Sequence, residues 1–303
     1  MVRGAIYGLS AAAIWGGMYV VSDVVLKTIP PFTLLSIRLV MGAAVLAIFL
    51  ARSPGIALPK GRGWLHPLAV GLVGFGISVG AQFVGTDKSN AVNGSLVTSA
   101  SPAFILLFAA LILREKLTVQ RIGAVLLATA GVLVILDLSQ ADFSSDTFWG
   151  NVALAVAAVT WGLFSVLVRQ VSAKFDTLVV TFVGFLGGLI LVIPAAVVEL
   201  QTRPIGTITP GIVLGVLYLG IVSTAGAMWL WNRAFALVDA SIAGLFFFAQ
   251  PLVGAVLAVA FLGQQMTADL WIGGALIGAG VLLSLASPAW LVVFQRGASG
   301  QEP

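Results

Sequence analysis

The chain has 303 residues, of which 60% are hydrophobic and 9% charged; a soluble domain carries roughly 25% charged residues, so a water-soluble globular protein is excluded. The absence of Cys excludes a disulfide framework, a thiolate nucleophile and a cysteine metal site. A single histidine, His66, excludes a multi-histidine metal centre, and the net charge of +4 is scattered over short loops and forms no nucleic-acid-binding patch.

A bilayer is crossed by about 20 mostly apolar residues in helical form. That template predicts ten spans. In the first half they cover residues 5–25, 32–50, 65–84, 91–113 and 119–136; in the second, 149–168, 177–198, 210–231, 240–262 and 270–291. The first span resembles a cleavable signal only superficially, because it has a counterpart in the second half, and it is expected to stay in the mature protein. Of the 15 Lys and Arg residues, 11 fall on the amino-terminal side of these spans. Lys27, Lys88 and Arg203 fall on the other side, and Arg38 lies inside the second span. Cytoplasmic loops carry the excess of positive charge. Both termini are therefore expected in the cytoplasm, in a multi-pass protein of a bacterial inner membrane.

The fourth and ninth spans are alike. Ser99-Ala100-Ser101-Pro102 interrupts one, Phe248-Ala249-Gln250-Pro251 the other, and 251 − 102 = 149 residues separate the two prolines. Trp15-Gly16 in the first span matches Trp161-Gly162 in the sixth. Five spans per half is an odd number, so the second half must enter the membrane from the opposite side. The expected fold is all-α, with ten transmembrane helices arranged as two inverted five-helix repeats. Residues 1–140 form one repeat and 141–303 the other, joined by an acidic loop. Such folds bind cargo near the midplane, between the repeats.

The ten-span layout, the Trp-Gly pairs, and the Ser101-Pro102 step followed by Leu113-Arg114-Glu115-Lys116-Leu117-Thr118 resemble the EamA branch of the drug/metabolite transporter superfamily. The aromatic cavity candidates are most similar to those of the YddG-like exporters of aromatic and other amino acids. The resemblance covers residues 5 to 290 and implies alternating-access export. In one departure, the family's Glu at the helix end is present as Glu115 but is Gln264 in the second half.

Candidate substrate-binding residues follow from polarity and depth. Trp15 and Trp161 lie well inside their spans, where an indole N–H needs a partner or a wet cavity; plain helix packing is the alternative. Trp64, Trp149, Trp271 and Trp290 sit at span ends, as interfacial anchors do, and Trp229 and Trp231 fit either an anchor or a cavity wall. Pro102 and Pro251 cannot donate to the carbonyls of Thr98 and Phe247. Those carbonyls, with Ser99, Ser101 and Gln250, are candidates to hold an ammonium group; equally, the two bends are candidate hinges. Ser78, Gln82 and Ser223 add polar groups within spans. Phe246, Phe247 and Phe248 turn about 100° per residue, so at most two reach a cavity, and Phe247 is the candidate. Arg38 is expected in a structural or gating role, by snorkelling or by pairing with Asp23, ahead of direct cargo contact.

No Asp or Glu is placed at mid-membrane depth, whereas carboxylate relays mark proton-driven pumps. The expected activity is therefore export of small zwitterionic metabolites, chiefly aromatic and neutral amino acids, down their gradient. No catalytic residue, cofactor, metal or nucleic-acid partner is expected. The partners are the small-molecule cargo and the lipid bilayer, with a monomer as the working unit. The alternatives are a carrier of another metabolite or drug in the same superfamily and, from a different class, an intramembrane enzyme, for which facing nucleophiles and acid/base pairs are lacking.

Overall fold

The computed structural model describes residues 1–89, 97–135, 142–253, 256 and 267–285, without the side chains of residues 19, 20, 23 and 270. Expectations that concern the Asp23 side chain, Gln264, Trp290 or the start of the fourth span lie outside the described residues.

A chain with so little charge has to satisfy its backbone internally, and α-helix does so within each segment. Ten helical stretches follow one another among the described residues. They are α1 (Val2–Leu26), α2 (Pro31–Ala51), α3 (Gly61–Asp87), α4 (Ser101–Leu113) and α5 (Val119–Ile135), then α6 (Phe148–Ser172), α7 (Thr177–Leu200), α8 (Pro210–Leu237), α9 (Ala240–Val253) and α10 (Ala268–Leu285). Five of them, α2, α3, α6, α7 and α8, are long and apolar enough to cross a membrane by length and composition. Large apolar side chains such as Leu126, Val198, Leu214 and Leu282 stand at least 65% exposed on the outside of the bundle. A surface of that kind suits lipid and not water.

The ends of the helices follow from local chemistry. Pro31 and Pro210 occupy first-turn positions, where their missing N–H costs nothing. Asp176 caps α7 by accepting from the Leu178 amide, and Thr209 caps α8 by accepting from the Ile212 amide. Glu199, near the end of α7, caps a different helix: it accepts from the amide and hydroxyl of Thr33 in the first turn of α2.

Helices α5 and α10, α2 and α7, α1 and α8, and α3 and α6 pack as neighbours. Two of these contacts depend on glycine. A Cβ on Gly71 of α3 would come within 1.9 Å of the Gly184 carbonyl oxygen of α7. Gly131 of α5 and Gly273 of α10 approach each other in the same way, each closing on the other's carbonyl oxygen. Small residues let helices meet backbone to backbone.

Two helices depart from ideal geometry mid-span: α3 widens into a π-helical stretch over Leu72–Ser78, and α8 does the same over Tyr218–Gly226. A π-turn shifts the register of the side chains that follow it and is frequent at functional sites. The interrupted helices differ from one another. Pro102 sits in the first turn of α4, after a break at residues 99–100, whereas α9 tightens into a 3₁₀ turn over Gly244–Phe248 before Pro251.

Candidate functional site

The central aromatic cluster defines the deep end of the site. Trp15 of α1 meets Trp161 of α6 edge-on at 5.9 Å between ring centroids, and Trp231 of α8 lies 5.3 Å from Trp15 and 6.3 Å from Trp161. Phe247 of α9 stands 6.4 Å from Trp161 and 5.9 Å from Trp231. Each such contact adds roughly 0.5–1.5 kcal/mol beyond the area it buries. The three indoles differ in hydrogen bonding. Trp15 Nε1 donates to the Ser223 carbonyl, 3.0 Å away, within the π-stretch of α8. Trp161 Nε1 and Trp231 Nε1 are buried with no acceptor among the described residues.

From this cluster a cavity of about 280 Å³ extends toward the face that carries the ends of α1 and α3. Trp15, Trp161, Phe247, Met228 and Gln250 line its inner part; Arg38, Ser78, Gln82 and Ser101 line its walls; Asp87 and Arg203 flank its mouth. Asp87 accepts a hydrogen bond from Arg203 at 2.9 Å, which holds the guanidinium pKa above its ordinary value and keeps it charged. The helical face that carries Trp15 also presents Met18 and Ser22 to the cavity, one and two turns further on.

Several expected site residues therefore share one cavity: Trp15, Trp161, Ser78, Gln82, Ser101, Phe247, Gln250 and Arg38. Ser99, Ser223, Pro102 and Pro251 do not line it. The Ser223 hydroxyl is buried without a partner among the described residues, and its carbonyl is taken by Trp15. The hydroxyl of Ser78 is committed to the Ala157 carbonyl at 2.8 Å, joining α3 to α6. The Thr98 carbonyl is likewise occupied, because Ser101 Oγ donates to it at 2.7 Å. That bond replaces the one Pro102 cannot make. Of the three consecutive phenylalanines only Phe247 faces the cavity. Phe246 is buried and packs so close to α1 that a Cβ on Gly8 would meet its ring, while Phe248 joins a cluster with α5 and α10. Arg38 does not snorkel: it is 4% exposed, its Nε donates to Thr224 Oγ1 at 2.9 Å, and its Nη2 to the Met18 thioether at 3.3 Å.

The opposite end of the bundle is closed by charges that the orientation count treated only as loop residues. Arg114 adopts the left-handed conformation (φ 56°) after α4, with the Glu115 amide bonded back to the Ala109 carbonyl. That turn is usually made by glycine. Here it directs Glu115 inward, where its carboxylate accepts from the amides of Ala240 (2.7 Å) and Ser241 (3.2 Å) and from the Ser241 hydroxyl. An anion at the start of α9 is favoured by the unpaired amides and dipole of a helix N-terminus. Arg121 of α5 pairs with Glu115 and Asp239. Arg169 of α6 pairs with the same two carboxylates and donates to the Phe235 and Val238 carbonyls. Four charges thus tie α4, α5, α6, α8 and α9 together. Sequence reasoning missed this cluster, and also missed Met18 and Met228; it left Trp231 open between anchor and cavity wall, and the residue is instead fully buried behind Trp15 and Trp161. The spacing of Trp15, Met18 and Ser22 on one helical face was the available signal for Met18.

A membrane-embedded helix bundle with a deep aromatic cavity, open at one end and closed by charges at the other, is the architecture of a small-molecule transporter. The EamA-like transporter family profile matches residues 2–137 and again 148–286, and the chain belongs to that family. Among its relatives, an uncharacterized transporter of Archaeoglobus fulgidus is 28% identical over 274 residues, 90% of this chain and 94% of that one. The aromatic amino acid exporter YddG of Ancylobacter novellus is 26% identical over 257 residues, 83% of this chain and 86% of its own. A solved crystal structure superposes with a TM-score of 0.80 at 25% identity, covering 94% of this chain and 96% of that chain.

Proposed function

We propose that the protein exports aromatic and neutral amino acids down their gradient by alternating access between two inverted five-helix repeats. The observation that carries this reading is the cavity itself. Its aromatic inner part, Trp15, Trp161 and Phe247, suits an apolar side chain, and Gln82 and Gln250 supply uncharged donors and acceptors for a polar end. The relative named as an aromatic amino acid exporter supports the cargo class. Relatives named as transporters support transport without catalysis.

The helix neighbours support the two-fold relation. Exchanging the halves maps the α5–α10 and α2–α7 contacts onto themselves and the α1–α8 contact onto α6–α3. The π-stretches fall in the third helix of each half, and Thr224 follows Ser78 by 224 − 78 = 146 positions, as Trp161 follows Trp15. With both termini in the cytoplasm of an inner-membrane protein, the cavity faces outward and the four-charge cluster is the inner closure. The working unit is the monomer, since the cavity is built within one chain.

Flux in vesicles containing only the purified chain tests the reading. Labelled tryptophan or phenylalanine should exchange unchanged and be displaced by one another, and not by a polyamine or a nucleotide sugar. An imposed pH gradient should fail to drive uphill accumulation, because among the described residues the one carboxylate lining the cavity is Asp87, already bonded to Arg203 at the mouth. Uphill uptake driven by pH would sink the downhill mechanism, and displacement by nucleotide sugar alone would sink the cargo class.

A further inference from the structure

Arg38 has more capacity than its protein partners use. It stands about two turns into α2, 4% exposed, and forms part of the cavity wall. No carboxylate among the described residues lies within ion-pairing distance of it. Its two recorded partners are a hydroxyl and a thioether, both neutral. A buried guanidinium without a counter-charge is costly, and such a group in a membrane protein commonly faces a pathway.

The hydrogen bonds also show which donors of the group are already used. The Thr224 hydroxyl donates its own proton to the Leu219 carbonyl at 2.8 Å, so toward Arg38 it acts as an acceptor for Nε–H. That bond depends on the π-stretch of α8, which brings Thr224 round to α2. With Nε taken and Nη2 engaged once by Met18, Nη1 and a second proton of Nη2 are left to donate. Two N–H groups of one guanidinium match the two oxygens of a carboxylate. One unpaired cation suits a monoanion; phosphate-bearing cargo calls for several.

We propose that Arg38 is the carboxylate receptor of the cavity, so that the cargo is recognised as a small carboxylate whose apolar part lies against Trp15, Trp161 and Phe247. The α-ammonium group is then secondary, met near the indoles by neutral acceptors such as Gln82 and Gln250. The assignment rests on the transporter reading above and narrows it: the carboxylate is required, the amine is not.

Three ring-matched probes separate the groups: phenylalanine, 3-phenylpropionate and phenethylamine. Each is titrated against the purified full-length chain, with the fluorescence of its own tryptophans as readout, since Trp15 and Trp161 line the cavity. Phenylalanine and phenylpropionate are expected to bind at least about tenfold more tightly than phenethylamine. Arg38→Gln and Arg38→Met should bring that ratio close to one, and Arg38→Lys should leave part of it. The ratio within one preparation does not depend on how much of a variant is folded. Equal binding of phenethylamine and phenylpropionate to the native chain overturns the proposal. So does an unchanged ratio in Arg38→Gln, or no binding of either carboxylate at millimolar concentration. Arg38-dependent binding of phenylpropionate with no binding or flux of phenylalanine would instead uphold the receptor and remove the amino-acid reading. Phenylalanine flux with a flat ratio would do the reverse.

Discussion

Trp15 and Trp161 show how two residues in corresponding places come to do different work. Both are buried and both line the cavity, but among the described residues only Trp15 finds an acceptor for its N–H, at the Ser223 carbonyl. Trp15→Phe should therefore cost about 1–3 kcal/mol, the usual penalty for a buried carbonyl left unpaired, seen as a lower melting temperature in detergent. Trp161→Phe removes no bond to the described residues. It should melt within about 1 kcal/mol of the native chain, the ordinary scale of a tolerated aromatic swap, yet reduce flux because the indole that lines the cavity is replaced by a smaller ring. If Trp15→Ala and Trp161→Ala both left flux and preference intact in folded protein, the cavity would not be the transport site. The sequence made this pair legible, since indoles deep in two matching spans have few uses. It left Trp231 open between an interfacial anchor and a cavity wall, because the polar Asn232 and Arg233 mark the end of the apolar run. The helix continues to Leu237, with Asn232 Nδ2 satisfied by Thr181 Oγ1 at 2.9 Å, so Trp231 lies within the bundle and is fully buried.

Among the helices, what matters is where regular geometry is given up. The prolines of α4 and α9 are visible in any reading of the sequence, but their local consequences are not: Ser101 repairs the Thr98 carbonyl in one, and a 3₁₀ turn serves in the other. The π-stretches of α3 and α8 carry no residue signature, because hydropathy reports that a segment is helical and not how many residues make a turn. They nevertheless set the site: one contains Ser78, which joins α3 to α6, and the other contains Ser223 and Thr224, which hold Trp15 and Arg38. The close approach of α3 and α7 is the companion constraint. Gly71→Ala should destabilise by about 1–3 kcal/mol or more, as overpacking does, because the added methyl meets the Gly184 backbone at 1.9 Å. Gly278→Ala on α10 is the control, with nothing within 4 Å of the new Cβ, and should melt close to the native chain.

For the whole molecule, the proposed alternating access requires the closed end to open, and on that reading the four-charge cluster is what must come apart. Glu115 is the member on which the others converge: it receives three donors from the start of α9 and pairs with Arg121 and Arg169. Its side chain is only 10% exposed, so these bonds are poorly screened by water. Glu115→Gln keeps an acceptor for the Ala240 amide but removes the charge that both arginines share. A loss of about 1.4 kcal/mol in the closed state already changes the ratio of the two states tenfold, and the loss of one charge from a paired, partly buried set commonly exceeds that. Because the chain has no cysteine, one introduced thiol reports accessibility without background. Ser165 lies one helical turn beyond Trp161 toward the closed end and is 0% exposed. Ser165→Cys should be inert to a membrane-impermeant maleimide applied to the closed face, and Glu115→Gln in the same chain should raise its labelling rate at least about tenfold. Ser22→Cys, which lines the open cavity, should lose labelling from the other face over the same comparison, since one bundle cannot populate both openings at once. Faster labelling at both positions would mean that the substitution had loosened the bundle as a whole; unchanged labelling at both would mean that the closure rests on the packed indoles and not on the charges.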